Sequence, residues 1–135
     1  MAREFPPDSF NPFADLLGMK YDHCEDGRCL SHLVITDAMM NPHHVLHGGV
    51  IFSIADTSMG AALYPSLGED ELCATIEIKL NFIKPVAGGR LDCDTYVVRR
   101  GRNVAVLESE LTCEGKLVAK ALGSYSIFKL KPKPA

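Results

Sequence analysis

The spacing of hydrophobic and polar positions changes character along this 135-residue chain. Over 74–82, Ala74, Ile76, Ile78, Leu80 and Phe82 alternate with Thr75, Glu77, Lys79 and Asn81, which predicts a strand with one wet face. Three further strands are predicted at 91–99, 104–113 and 117–128, with turns at Pro85 to Gly89, Arg100-Gly101 and Glu114-Gly115. Upstream the period lengthens. Between His47 and Tyr64, the residues Val50, Ile51, Ile54, Ala55, Ala61, Ala62 and Leu63 cover most of a helical circumference, which predicts a buried helix ended by Pro65 and Gly68. Two strands, 19–24 and 28–36, are expected around the hairpin turn Glu25-Asp26-Gly27. Asn11-Pro12 followed by Phe13, Leu16, Leu17 and Gly18 reads as a short helix with Asn as cap and Gly as stop.

This order makes an α+β chain whose consecutive hairpins form one antiparallel sheet. One face of such a sheet must be covered, and the 47–64 helix is the element able to do it. The expected architecture is a sheet wrapped around a single central helix. One domain over 1–135 is expected, with 1–10 and 129–135 fraying.

Composition narrows the functional classes. Hydrophobic residues make up 47% and charged residues 23%, which excludes general disorder. A net charge of −3 leaves no basic footprint for nucleic acid. The most apolar stretch, 45–67, is broken by glycines, Pro65 and Asp56, so no membrane span is expected. The first fifteen residues lack the apolar run of a secretory leader. The five cysteines are an odd number without a CxxC, which argues against a disulfide framework or zinc ribbon and for a reducing, cytoplasmic setting.

Candidate chemistry concentrates around the central helix. Between Ala38 and Gly68 the only formally charged residue is Asp56. A carboxylate on a buried helix is costly unless it is paired or faces a polar cavity. Asp56 therefore reads either as a base or nucleophile in a pocket or as a locally hydrogen-bonded structural group. His47-Gly48-Gly49 opens the helix, where free N–H groups stabilise negative charge and glycines admit a substrate close to the backbone. That is the chemistry of an oxyanion hole, although the glycines also suit a plain loop-to-helix turn. Asn41 offers a side-chain donor, or the start of an Asn-Pro turn.

Spacing then sets a constraint. Gly48 and Asp56 are eight residues apart, or about 12 Å along a helix axis, too far to serve one carbonyl. Two antiparallel copies of the helix across a two-fold axis bring each Asp56 beside the partner's Gly48. At least a dimer is expected if both act. His43, His44 and His47 lie mostly in a loop without an HExxH glutamate, so no metal is expected. Arg99, Arg100 and Arg102 form a basic turn, either a solvated hairpin or a clamp for phosphates, and Lys84 is a weaker candidate for the same role.

The pattern Asn41-x6-Gly48-Gly49-x6-Asp56, followed by the strand from Ala74 to Pro85 and the Arg99–Arg102 turn, resembles the hotdog-fold acyl-CoA thioesterases of the phenylacetate-degradation (PaaI-like) type. The resemblance runs over about residues 19–128. It implies a hotdog fold that dimerises through a continuous sheet and commonly forms a tetramer. It also implies that Asn41 and the Gly48 N–H polarise the thioester carbonyl. Asp56 of the other subunit then attacks or activates water, with Thr75 orienting that water. His47 is a structural or hydrogen-bonding member of the motif. For such a substrate, Gly49, Lys84 and, if it is a clamp rather than a solvated hairpin, the turn of Arg99, Arg100 and Arg102 are the candidates to bind the coenzyme A portion. No cofactor is implied beyond the coenzyme A carried by the substrate, which is an aryl or medium-chain acyl thioester. One departure is His44, where the family usually has Gly; a bulky side chain there is expected to reshape the loop or narrow the acyl pocket. A hotdog-fold dehydratase and a non-catalytic acyl-CoA-binding module are the alternatives. The downstream aspartate favours hydrolysis over both.

Overall fold

A computed structural model describes residues 11–131. A short helix α1 (Pro12–Leu17) leads into the hairpin β1 (Lys20–Glu25) and β2 (Arg28–Val34); the long helix α2 (Gly48–Leu63) follows, then β3 (Glu71–Phe82), β4 (Arg90–Arg100), β5 (Val104–Cys113) and β6 (Lys116–Lys129). The strands form one six-stranded antiparallel sheet in the order β1-β2-β4-β5-β6-β3. Its inner face packs on α2, as the alternation in the later strands requires. Asn11 Oδ1 accepts from the Ala14 N–H at 3.1 Å and Gly18 closes α1 with φ 69°, so the sequence cues at both ends operate as expected.

The core lies between α2 and the sheet. Ile54, Met59 and Leu63 from the helix meet Leu33, Leu91, Leu107 and Leu111 from the strands, all fully buried. Each such side chain contributes about 1.5–3 kcal/mol of burial. Gly123 on β6 permits the close approach: a Cβ there would lie 2.7 Å from Met59 Sδ. The one polar group that α2 buries completely, the Ser58 hydroxyl, pairs with Ser31 Oγ at 2.6 Å.

Four expectations need correction. The helix is not buried all round. Gly49, Phe52, Ser53, Asp56 and Gly60 form an exposed or half-buried stripe, because a single sheet covers only one side of a helix. Strand β3 starts at Glu71 rather than Ala74, since Glu71 pairs with Lys129 and Leu72 with Phe128. For the same reason Lys129, assigned to the fraying tail, is the last residue of β6; residues 1–10 and 132–135 lie outside the described residues.

The fourth concerns cysteine. Cys24 and Cys29 form a disulfide with a Cα–Cα separation of 4.1 Å. They are directly opposed in the β1–β2 register, flanking a turn in which Asp26 and Gly27 both have positive φ. Counting cysteines overlooked a pair that hairpin geometry brings together, and it removes the cysteine argument for a reducing compartment. None of the helices among the described residues is long and apolar enough to cross a membrane.

Candidate active site

Asp56 lies two turns into α2 on its open stripe. It is half-buried, at the wall of a cleft of about 360 Å³ that also includes Tyr21, Tyr64, Thr75 and Tyr125. Its carboxylate is not solitary. Thr75 Oγ1 donates to Asp56 Oδ1 at 2.7 Å, and the Tyr125 hydroxyl donates to the same oxygen while also lying 2.6 Å from the Asp56 carbonyl oxygen. Burial, and then the hydrogen bond to Asp56, push the Tyr125 hydroxyl far above the usual phenol range, so it keeps its proton and remains a donor.

Thr75 and Tyr125 reach the same atom because they are cross-strand partners in the β3–β6 ladder, so both side chains stand on the helix face of the sheet. The register shifts immediately after Thr75, between Thr75 and Glu77. A bulge at this place re-aims the strand beside the site. Alternation in the sequence puts Thr75 on the wet face beside Glu77 and Ile76 on the core face. The bulge reverses this order and leaves Ile76 exposed, so only the family resemblance points to Thr75. Tyr125 escaped sequence reading because its pairing with Thr75 depends on that register, and a buried tyrosine in a strand carries no chemical signature of its own.

The other end of α2 forms a second cleft of about 330 Å³, lined by Gly48, Phe82, Lys84 and Pro85 among others. Here His47 is the helix N-cap: its Nδ1 accepts from the Gly49 N–H at 2.8 Å, which requires the neutral ring with its proton on Nε2. Gly49 thus has its N–H committed. Gly48, as the first helical residue, has no carbonyl one turn back to receive its own N–H. A Cβ on Gly48 would meet the tip of the exposed Phe82 ring at 2.9 Å and push it aside, so glycine keeps this approach open.

Asn41 anchors the preceding loop. Its Oδ1 accepts from His43 N at 2.8 Å and Val45 N at 3.4 Å, which leaves the side-chain NH₂ as the group able to donate outward. His44 takes φ 62°, the left-handed conformation that favours glycine. Its side chain is exposed and the Asn41 turn is intact around it, so the departure from Gly is accommodated in the backbone. Among the described residues, no group of three or more His, Cys, Asp and Glu side chains is placed to hold a metal ion.

Within one chain, then, Asp56, Thr75 and Tyr125 gather at one cleft, while Gly48 and Lys84 line the other and Asn41 belongs to the loop before it. The basic turn divides. Arg100 is partly buried and bonded to Glu71 Oε1 at 2.7 Å and to the Ser66 carbonyl at 3.2 Å. The Gly68 N–H, and after it Arg100, hold the Glu71 carboxyl below its ordinary range. Arg99 and Arg102 are exposed. The turn lies toward the Asp56 end, since Arg100 reaches Ser66 just past the C-terminus of α2.

Comparison with known proteins fits this arrangement. A family model described as the thioesterase superfamily matches residues 43–120. A Saccharolobus solfataricus protein, named provisionally as an esterase, is 36% identical over 117 residues, covering 85% of this chain and 82% of that protein. The medium/long-chain acyl-CoA thioesterase YigI of Salmonella typhimurium is 28% identical over 134 residues, covering 86% of this chain and 85% of YigI. Among solved structures, a phenylacetic acid degradation-related protein of Ralstonia eutropha, described provisionally as a thioesterase, superposes with a TM-score of 0.83 at 30% identity, covering 90% of this chain and 92% of that one.

Proposed function

Given that this chain belongs to the thioesterase superfamily and has the hotdog fold, we propose that it hydrolyses acyl-CoA thioesters to free acid and coenzyme A in a site shared by two subunits. The observation that carries the reading is the Asp56 carboxylate, held by two hydroxyls at the wall of an open cleft whose other lining residues are uncharged. The thioester carbonyl oxygen accepts from the Gly48 N–H and the Asn41 side-chain NH₂ of one subunit. Asp56 of the other subunit takes a proton from the attacking water, which Thr75 orients, and returns it to the departing thiolate. In the nucleophilic variant Asp56 attacks the carbonyl carbon and expels the thiolate. Water then hydrolyses the resulting mixed anhydride to free acid and Asp56, its proton passing to the thiolate. Coenzyme A leaves as the thiol. The chemistry is assigned to these side chains and the helix backbone, with coenzyme A entering only as part of the substrate.

Two features of the surface support the second subunit. The half-open stripe of α2 runs from Gly49 to Gly60 and has no covering layer in the single chain. Strand β3 is a twelve-residue edge with Ile76 and Phe82 exposed, a liability unless another strand pairs with it. Antiparallel pairing of two copies across both features sets Asp56 of one beside Gly48 and Lys84 of the other, within a dimer or a tetramer built from it. Lys84, Arg99 and Arg102 are the cations assigned to the nucleotide phosphates, with Gly49 beside them at the helix N-terminus; Arg100 braces the turn. His47 serves by capping the helix that carries Gly48.

A panel of aryl-, medium- and long-chain acyl-CoAs, read by release of free thiol, tests the proposal. Hydrolysis of at least one class, lost in Asp56→Asn, is expected. Absence of thiol release across the panel from folded protein would overturn it.

A further inference from the structure

We propose that Tyr125 is a positioning residue for this reaction: with Thr75 it fixes Asp56 Oδ1, so that Oδ2 is the oxygen that acts on the substrate or its water. The inference rests on the reading of Asp56 as base or nucleophile and deepens it. Both hydrogen bonds to the carboxylate fall on Oδ1, from Thr75 Oγ1 at 2.7 Å and from the Tyr125 hydroxyl. The Tyr125 oxygen also lies 2.6 Å from the carbonyl oxygen of Asp56 itself. The single phenol proton is shared between these two oxygens, so one hydroxyl bridges the backbone and the side chain of the same residue and favours one setting of the Asp56 side chain relative to the helix axis.

The anchor itself is rigid. Tyr125 is 3% exposed, and its backbone is paired on both sides, with Thr75 of β3 and with Ala105 of β5. Thr75, by contrast, is exposed on the edge strand, so Tyr125 is the less mobile of the two donors. A carboxylate with one oxygen held from two sides must break both hydrogen bonds to exchange its oxygens by rotation. Oδ2 is then the one oxygen with coordination left for a reacting partner. A group pre-set in this way loses less freedom on reaching the transition state than one that must be oriented by the substrate.

Because Tyr125 acts only through Asp56, a double-mutant cycle separates positioning from packing. Tyr125→Phe keeps the ring and removes the hydroxyl. It is expected to lower kcat roughly ten- to a hundredfold, the range for a hydrogen bond to a charged group, with KM within about twofold. In the Asp56→Asn background the same change is expected to alter kcat by less than about twofold. Equal losses in both backgrounds, or a loss confined to KM, would overturn the inference while leaving Asp56 in its role. An Asp56→Asn enzyme of full rate would instead overturn the reading beneath it. If Tyr125→Phe does not fold, 3-fluorotyrosine at position 125, which keeps the ring and the hydroxyl and changes only the donor strength, replaces it. A change in kcat that disappears in the Asp56→Asn background supports the anchored oxygen, and an equal change in both backgrounds, or none in either, refutes it.

Discussion

Thr75 and Tyr125 face each other across the β3–β6 ladder and place their hydroxyls on the same oxygen of Asp56. Two strands that are far apart in sequence thus converge on one atom of a helix that precedes both. Only the sheet register brings them together. The site that results has an acidic group held in place midway along α2 and a free backbone N–H at its start.

Replacing Asp56 with Asn keeps its shape and removes its charge. If it is the base or nucleophile, kcat falls about 10²–10⁴-fold while substrate still binds. Melting temperature is expected to hold or rise, because a partly buried charge is removed. Steady-state rates and a thermal melt on the same preparation check this. A lowered melting temperature with an unchanged rate per folded molecule would mark Asp56 as structural.

A shared site predicts complementation. Asp56→Asn subunits retain Asn41 and Gly48, and Asn41→Ala subunits retain Asp56. Mixed dimers of the two inactive variants carry one intact site, so random reassociation restores about a quarter of wild-type activity. Mixing that restores nothing, despite exchange of subunits seen by mass spectrometry, would place the whole site within one chain.

The arginine turn splits into two roles. Arg99→Ala and Arg102→Ala are expected to raise KM for acyl-CoA with kcat nearly unchanged, the signature of uniform binding. Arg100→Ala is expected to lower melting temperature instead, since it frees Glu71 and the Ser66 carbonyl. The pH dependence has a defined sign. Glu71 is held below its ordinary value, so its stabilising contribution is present above that value and is lost as pH falls through the lowered one. Melting temperature should drop on acidification from about pH 7 to pH 3, less steeply in Arg100→Ala, where the Gly68 N–H still acts. Identical slopes in the two proteins would refute the coupling.

His44 sits at φ 62°, where a side chain costs about 1–2 kcal/mol. Glycine removes that strain but adds freedom to the unfolded chain. The net gain for His44→Gly is expected to be up to about 1 kcal/mol, or roughly 2–4 °C in melting temperature. A differential scan measures it. Unchanged substrate preference is also expected, because the His44 side chain is exposed and outside both clefts.

Local rules were enough for much of this protein. The strand character of β3, the near-continuous apolar surface of α2 and the capping residues at Asn11 and Gly18 depend on neighbours a few positions away, and so they are written in the sequence. Which face of β3 each residue takes is not, because the bulge after Thr75 switches it. The solitary charge at Asp56 and the glycines at the start of α2 were equally visible, because both are anomalies against a local pattern. Their eight-residue spacing was enough to lead to the expectation of two subunits, if both act on one carbonyl. Tertiary structure decided what depends on register and on coverage. Tyr125 joins Asp56 only because β6 pairs with β3 one way. Arg100 turns from phosphate to Glu71 because β3 begins three residues early. Cys24 meets Cys29 across the local two-residue hairpin turn, a pairing that the predicted turn implied and the cysteine count passed over. Side-chain partnership between distant strands is fixed by hydrogen-bond ladders, and a one-residue slip would send each of these groups to the other face of the sheet.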